Sequence, residues 1–357
     1  DLANGGQSRI DTKTLTLSEN ANIENVIFGS SNDIGNGNSL DNLMQGNDGN
    51  DKLYGLAGDD TLEGGAGNDR LEGGEGNDSL DGGAGRNQLD GGEGDDSLSA
   101  GDDADRLSGG AGNDVLSGGG GRNLLNGHEG DDTIIGGSDD DGINGGTGND
   151  SIVAGEGKNR IDAGEGDNII ESGAGNDKIK SGSGNDLIDA GDGNNQIRIG
   201  AGNNTISGGT GNDIVKTGLG DDNISVGDGN NNVNSGEGND TIVTGVGNDR
   251  IVFGNGDSSV DAGDGNNSVR GKNGNHTITV GNGNDKIILG DGNNTVSLGD
   301  GRNTISIRNG DSTVVAGDGM NSISLGVGNS QISTGDGNNR IRANVGNSTV
   351  HSGTGDD

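Results

Sequence analysis

GGAGNDRLE, Gly64 to Glu72, is followed at once by GGEGNDSLD, Gly73 to Asp81. The nine-residue frame they set runs from Gly46 to His351 as 34 consecutive copies without insertion or deletion, and Ser352–Asp357 begin another. Position 4 of the frame is Gly in 32 copies, with Asp103 and Asp139 the exceptions. Position 8 is aliphatic in all 34, from Leu53 to Val350. Position 6 is Asp in 17 copies, Asn in 12, Ser in four and His in one. A flexible glycine linker or an acidic disordered tract has no reason to keep an aliphatic residue at every ninth place. A short fixed period marks a solenoid, whose units bury their apolar residues only by stacking.

Each position has a physical reading. Glycine at positions 1, 2 and 4 opens backbone angles closed to other residues, so a turn can wrap its carbonyls around a cation. Asp at position 6 supplies a hard oxygen ligand of the kind calcium takes. The x-aliphatic-x that follows is a minimal strand with one inward side chain.

The copies resemble the RTX family of secreted bacterial proteins, whose repeat reads G-G-x-G-x-D-x-U-x with U a large aliphatic. The resemblance covers Gly46 onward, is tightest from Gly64 to Asp150 and loosens afterwards. It implies an all-β fold, a right-handed parallel β-roll or β-helix solenoid with two nonapeptides, about 18 residues, per coil. It also implies several calcium ions between stacked turns, held by the position-6 Asp and by turn carbonyls. Export by type I secretion and folding outside the cell follow from the same resemblance.

A longer rhythm leaves a second coil open. Asn recurs at position 6 in every fourth copy (Asn87, Asn123, Asn159, Asn195, Asn231, Asn267, Asn303, Asn339), and Thr133, Thr205, Thr241, Thr277, Thr313 and Thr349 keep the same 36-residue spacing, broken at Ile169. In an 18-residue coil one edge would alternate Asp and Asn. In a four-sided 36-residue coil like would stack on like. The resemblance favours the shorter coil.

The metal ligands divide between two edges of an 18-residue coil. One edge offers an unbroken run, Asp60, Asp78, Asp96, Asp114, Asp132 and Asp150. The other offers Asp51 and Asp69, then alternates with Asn through Asp105, Asp141 and Asp177. Asp186, Asp213, Asp222, Asp240 and Asp249 complete the expected calcium ligands. Asp and Asn also favour tight turns, so a purely structural role is the alternative. It fits the late Asn and Ser copies. It fits the early Asp run poorly, because stacked uncompensated carboxylates repel. Occupied sites are expected to thin out beyond Asp249, leaving Asp285 isolated.

The array changes along its length. Position 8 is Leu in the first nine copies, Leu53 to Leu125, and Ile or Val from Ile134 onward. Position 1 turns apolar at Ile199, Val226, Phe253, Val280, Leu289, Leu298, Ile307 and Leu325. Residues at position 8 and the next position 1 are two apart and face the same way on a strand. Position 6 drifts to Asn and Ser over the same stretch. We therefore expect a calcium-held early part (46–126), a mixed part (127–249) and a late part (250–351) held by a wider aliphatic core and amide and hydroxyl ladders, with 352–357 a partial repeat. Residues 1–45 read as divergent coils that continue or cap the roll, with Val26, Phe28 and Met44 inward. A loosely ordered leader is the alternative.

Composition sets the limits. With 82 Gly, no Trp, one Tyr, two Phe and a formal charge of −37, one aliphatic side chain per nonapeptide must offset glycine entropy and self-repulsion. Calcium is the expected missing contribution. No Cys is present, which excludes disulfides and thiolate metal sites and suits an exported, calcium-stabilised protein. The acidic balance argues against a nucleic-acid partner. No apolar run approaches a membrane span, and no signal peptide is visible. The chain stops inside a nonapeptide, at Asp356-Asp357, so we expect a segment of something longer.

No catalytic constellation is evident: His128, His276 and His351 are far apart, and Asp and Ser follow the repeat rather than any triad spacing. We expect a buried core without a pocket. The favoured function is a calcium-binding structural segment of a large secreted or cell-surface protein (adhesin, surface layer, sheath or filament), not an enzyme, with end-to-end or lateral self-assembly. Two alternatives stand: a folding and secretion module of a secreted protease, lipase or alginate epimerase, and a ligand- or ice-binding solenoid.

Overall fold

The computed structural model describes residues 9–10, 13–19, 25–355 and 357. Its described residues are strands and turns without a helix. Two compact units divide the chain, Asp1–Ser181 and Gly182–Asp357. Within each, successive copies alternate between two parallel sheets. In the first unit, Ser79–Asp81 and Ser97–Ser99 belong to the first sheet, and Arg70–Glu75 and Gln88–Glu93 to the second. In the second unit, Leu187–Asp189 and Thr205–Ser207 belong to the first sheet, and Gln196–Arg198 and Ile214–Lys216 to the second.

Register settles the coil. Leu89 pairs with Leu107, Ile206 with Ile224, and Val296 with Val314, each 18 residues on. The 36-residue coil is therefore wrong. An Asp–Asn alternation along one edge is tolerated because either side chain offers the Oδ1 acceptor that the ladder needs.

Position 8 points inward and stays buried as far as Ile332: Leu53, Leu62, Leu125, Ile134 and Ile242 have no exposed surface, whereas Ile341 is half-buried and Val350 exposed. Late in the chain position 1 joins it. Val280, Leu289, Leu298 and Ile307 are buried, and strands lengthen from three residues (Thr241–Val243) to four (Thr295–Leu298). Val26, Phe28 and Met44 are buried as well, on strands Asn25–Phe28 and Leu43–Asp48 that pair 18 residues apart. Ile23 and Glu24, just before the first of these strands, lie outside the described residues.

Position 4 needs glycine for two reasons. Gly67 has φ 149°, and a Cβ there would lie 1.4 Å from the carbonyl oxygen of Gly49 in the preceding coil. Where Asp replaces it the side chain compensates: Asp103 and Asp139 accept the N–H groups of Gly85 (3.1 Å) and Gly121 (3.0 Å).

The narrow core makes a sharp prediction. Leu98 is 1% exposed, and the outward Val115 on the next rung of the same sheet, paired with Ser97, is 44% exposed. Leu98→Ala should destabilise the calcium-loaded fold by about 2–5 kcal/mol, and Val115→Thr should stay within about 0.5 kcal/mol. Chemical denaturation at fixed calcium would show whether the inward row carries the core.

Candidate metal centre

Each position-6 residue ends a glycine turn just before a strand, which aims its side chain back into that turn. Two ladders clamp the turns, running in opposite directions. At position 6 the upstream N–H donates to the downstream side chain: Asp60 to Asp78 Oδ1 (2.7 Å), Asp78 to Asp96 (2.7 Å), Asp96 to Asp114 (2.8 Å), Asp114 to Asp132 (2.8 Å) and Asp132 to Asp150 (3.0 Å). At position 5 the downstream N–H donates to the upstream side chain, as from Asn68 to Asn50 Oδ1 (2.7 Å). The second edge behaves alike: Asp51 donates to Asp69 Oδ1 (2.7 Å), and Asp141 accepts from Asn123 (2.7 Å).

The other carboxylate oxygen is the telling one. Oδ2 of Asp51, Asp60, Asp69, Asp78, Asp96, Asp105, Asp114, Asp132, Asp141, Asp150, Asp213 and Asp222 is buried with no hydrogen-bond partner. These oxygens crowd the position-1 glycine. A Cβ on Gly55 would lie 2.2 Å from Asp60 Oδ2 and 2.6 Å from the Gly73 carbonyl oxygen, and one on Gly91 meets Asp96 Oδ2 and the Gly109 carbonyl at the same distances. Oxygen faces oxygen with no donor between them. Leaving a buried carboxylate in that state is costly.

The Asn copies show what is missing. In Asn87 the Nδ2 occupies the place of Oδ2 and donates to the turn carbonyls of Gly83 (3.2 Å) and Gly85 (3.0 Å). Asn231 reaches Gly227 (3.0 Å), and Asn339 reaches Gly335 and Gly337 (3.2 Å each). The neutral amide supplies donors where the carboxylate has none. An Asp turn needs a cation in the same role. Among the described residues no three His, Cys, Asp or Glu side chains converge as a metal cluster. Turn carbonyls must therefore supply most of a cation's oxygen shell, a donor set that suits calcium.

A third solution appears later in the chain. Ser172 Oγ donates to Asp177 Oδ2 (2.8 Å) and Thr244 Oγ1 to Asp249 Oδ2 (2.8 Å). Ser235 Oγ does the same for Asp240. Thr217 stands in the same slot, but its hydroxyl donates to the Ser235 carbonyl (2.7 Å) and leaves Asp222 Oδ2 unpaired. Asp186 donates its N–H to Asn204 Oδ1 (3.0 Å). These hydroxyls escaped the sequence reading, although Ser or Thr five residues before Asp is a visible signal. Aliphatic position-1 residues show the reverse pairing. Ile199, Val226, Leu289, Leu298, Ile307 and Leu325 precede a neutral Asn or Ser at position 6, and Val280 with Asp285 is the exception.

Two more carboxylates belong with the orphan set. Asp33 and Asp285 are buried with unpartnered Oδ2 atoms. Asp33 was legible only as the residue 18 before Asp51. His276, in a position-6 slot, is buried against Phe253 with its Nε2 beside the Lys272 carbonyl (3.1 Å), and burial lowers its pKa.

Burial pushes Asp60, Asp96 and Asp132 up to about 7 and Asp51, Asp114, Asp141 and Asp213 up to about 6, with neighbouring carboxylates adding to several of these. The sign follows. Groups whose folded pKa lies above the unfolded value stabilise the metal-free fold at low pH and lose that contribution as pH rises toward 7. Calcium needs the deprotonated form. Acidifying from pH 8 to 5 should therefore increase β structure in metal-free buffer and raise the calcium concentration needed for folding. Circular dichroism in both conditions checks the two opposite slopes.

The expectation of a core without a pocket leaves the outer faces open. A shallow groove of about 370 Å³ lies on the outer face of the second sheet in the first unit, lined in part by Arg70, Glu72, Asp90 and Arg106. Long side chains standing on adjacent rungs leave space between them.

A parallel solenoid of 18-residue coils with carboxylate-lined glycine turns defines a calcium-binding β-roll. The model of the RTX calcium-binding nonapeptide repeat matches residues 36–305 as overlapping or abutting four-copy blocks and residues 333–357 again, so the chain belongs to that family. No curated protein matches the chain.

Proposed function

We propose that this chain is a calcium-folded structural segment of a large secreted or cell-surface protein such as an adhesin, surface layer, sheath or filament. RTX repeats bind calcium and typify secreted bacterial proteins, which gives the class. The observation that carries the particular reading is the row of buried, donorless Oδ2 atoms. The ions are held by Asp51, Asp60, Asp69, Asp78, Asp96, Asp105, Asp114, Asp132, Asp141, Asp150, Asp213 and Asp222, with Asp33 and Asp285 added. Asp177, Asp240 and Asp249 already share Oδ2 with a hydroxyl and bind more weakly. Low calcium inside the cell keeps the acidic chain extended for export, and millimolar calcium outside folds it.

The role is mechanical rather than catalytic. Position-6 carboxylates are spent on turns, and His128 sits on an exposed sheet face beside Ser108 Oγ (3.1 Å). Domain boundaries follow the chemistry: an Asp/Leu part over 46–126, a mixed part to 249, and an Asn/Ser/Ile/Val part beyond. The repeat stacks end to end or side by side with further copies. Light scattering and electron microscopy across concentration, with and without calcium, test the assembly. Growth of elongated particles is the expected result. A monomer of one size at every concentration would leave a spacer and remove self-assembly.

A further inference from the structure

The chain is strongly acidic, yet its cations are sorted by sheet. In the second unit the second-sheet strands carry Arg198, Lys216, Arg250, Arg270, Lys286 and the Arg340/Arg342 pair, and no Asp or Glu. The first-sheet strands of that unit carry no Lys or Arg. All seven second-sheet cations are exposed. Register gathers three of them on consecutive rungs: Val252 pairs with Arg270, Ser268 pairs with both Arg250 and Lys286, and the charge alternates between the two outward columns. Neighbouring strands are about 4.8 Å apart, so this part of the face holds one cation per rung. Beside it lies a groove of about 270 Å³ that includes Arg270, Lys272 and Arg308.

We propose that this face binds an extended anionic polysaccharide bearing a carboxylate or sulfate on its repeating sugar. Four observations select that partner. The cations form a strip along the stack rather than a pocket, which matches a linear polyanion. Most are Arg, whose fork pairs with two oxygens at once. Acidic turns bearing Asp228, Asp264 and Asp300 on one side and Asp221, Asp257 and Asp291 on the other flank the strip. A thin chain fits between them, and the broad surface of a second acidic copy would meet them. No aromatic residue stands on the strands of this face, Phe253 being buried, so the stacking platforms that serve single-stranded nucleic acids are missing. The strip consists of strand residues pointing outward, so the inference does not depend on which turns hold calcium.

The test uses the full chain in saturating calcium, immobilised, with short oligogalacturonate, dextran sulfate, neutral dextran and a single-stranded oligonucleotide as separate probes. The triple variant Arg250→Gln, Arg270→Gln, Lys286→Gln is compared with a control that removes as many charges from the first unit, Arg70→Gln, Arg86→Gln, Arg106→Gln. Circular dichroism confirms that both remain folded. Binding of one or both anionic glycans, weakened at least tenfold by the triple variant, unchanged by the control and lost at high salt, is the expected result. The two anionic arms show whether carboxylate or sulfate is read. Binding of neither anionic glycan, equal loss in both variants, or tighter binding of the oligonucleotide would overturn the proposal.

Discussion

In a calcium chelator at neutral pH the chain should lose most of its β signal in far-UV circular dichroism, and millimolar calcium should restore it. The structure explains why. Asp60, Asp78, Asp96, Asp114, Asp132 and Asp150 stack on one edge at 18-residue intervals, each buried with an unpartnered Oδ2. The Coulomb repulsion between such neighbours, and the burial of each charge, oppose folding unless a cation sits among them. The core gives little to set against this, because each nonapeptide buries one aliphatic side chain and fixes several glycines. Late copies need calcium less. They carry Asn or Ser at position 6 and a second inward residue at position 1, as in Thr295–Leu298. The residual β signal in chelator should come from them. An unchanged spectrum in chelator would sink this account.

Substitutions at position 6 should split by what replaces the carboxylate. The triple variant Asp78→Ala, Asp96→Ala, Asp114→Ala removes three cation ligands and leaves the N–H groups of Asp60, Asp78 and Asp96 without their acceptors. Each lost charged hydrogen bond is worth about 1.5–3 kcal/mol. The calcium midpoint for folding should rise at least tenfold and the transition broaden. Asn at the same three positions should do the opposite. It keeps the Oδ1 acceptor and brings an Nδ2 that can donate to the turn carbonyls, as Asn87 does to Gly83 and Gly85. That variant should retain more structure than the parent in chelator. If the Ala variant folds at the parent's calcium concentration, or the Asn variant matches the Ala variant, the ligand assignment fails.

Much of the fold was legible because the repeat repeats its physics. Position 8 had to face inward, and the apolar drift at position 1 marked strands that grow by one inward residue. Coil length was legible only through the family resemblance, which favoured 18 residues; the residues alone left 36 open, because the 36-residue spacing of Asn87, Asn123 and Asn159 is real. Only the ladder shows that an Asn and an Asp can be rungs of one edge: Asn87 donates to Asp105 Oδ1 (2.6 Å) and Asp105 to Asn123 Oδ1 (2.9 Å). At the site, position 6 was visible and its partner at position 1 was not. Ser172, Ser235 and Thr244 went unremarked in the sequence, and their role shows only when their hydroxyls are seen on Asp177, Asp240 and Asp249. The sorting of cations was hidden in a net charge that averages both sheets.

The central claim is that calcium, through the position-6 carboxylates, holds the Asp-rich turns and not the Asn- and Ser-rich ones. Amide hydrogen exchange read by mass spectrometry, with and without calcium, tests it peptide by peptide. The account predicts that amides of Asp60 to Asp150 lose at least a hundredfold protection when calcium is removed, and that those from Asn294 to Asn339 change far less. Equal protection of both stretches in either condition would contradict it.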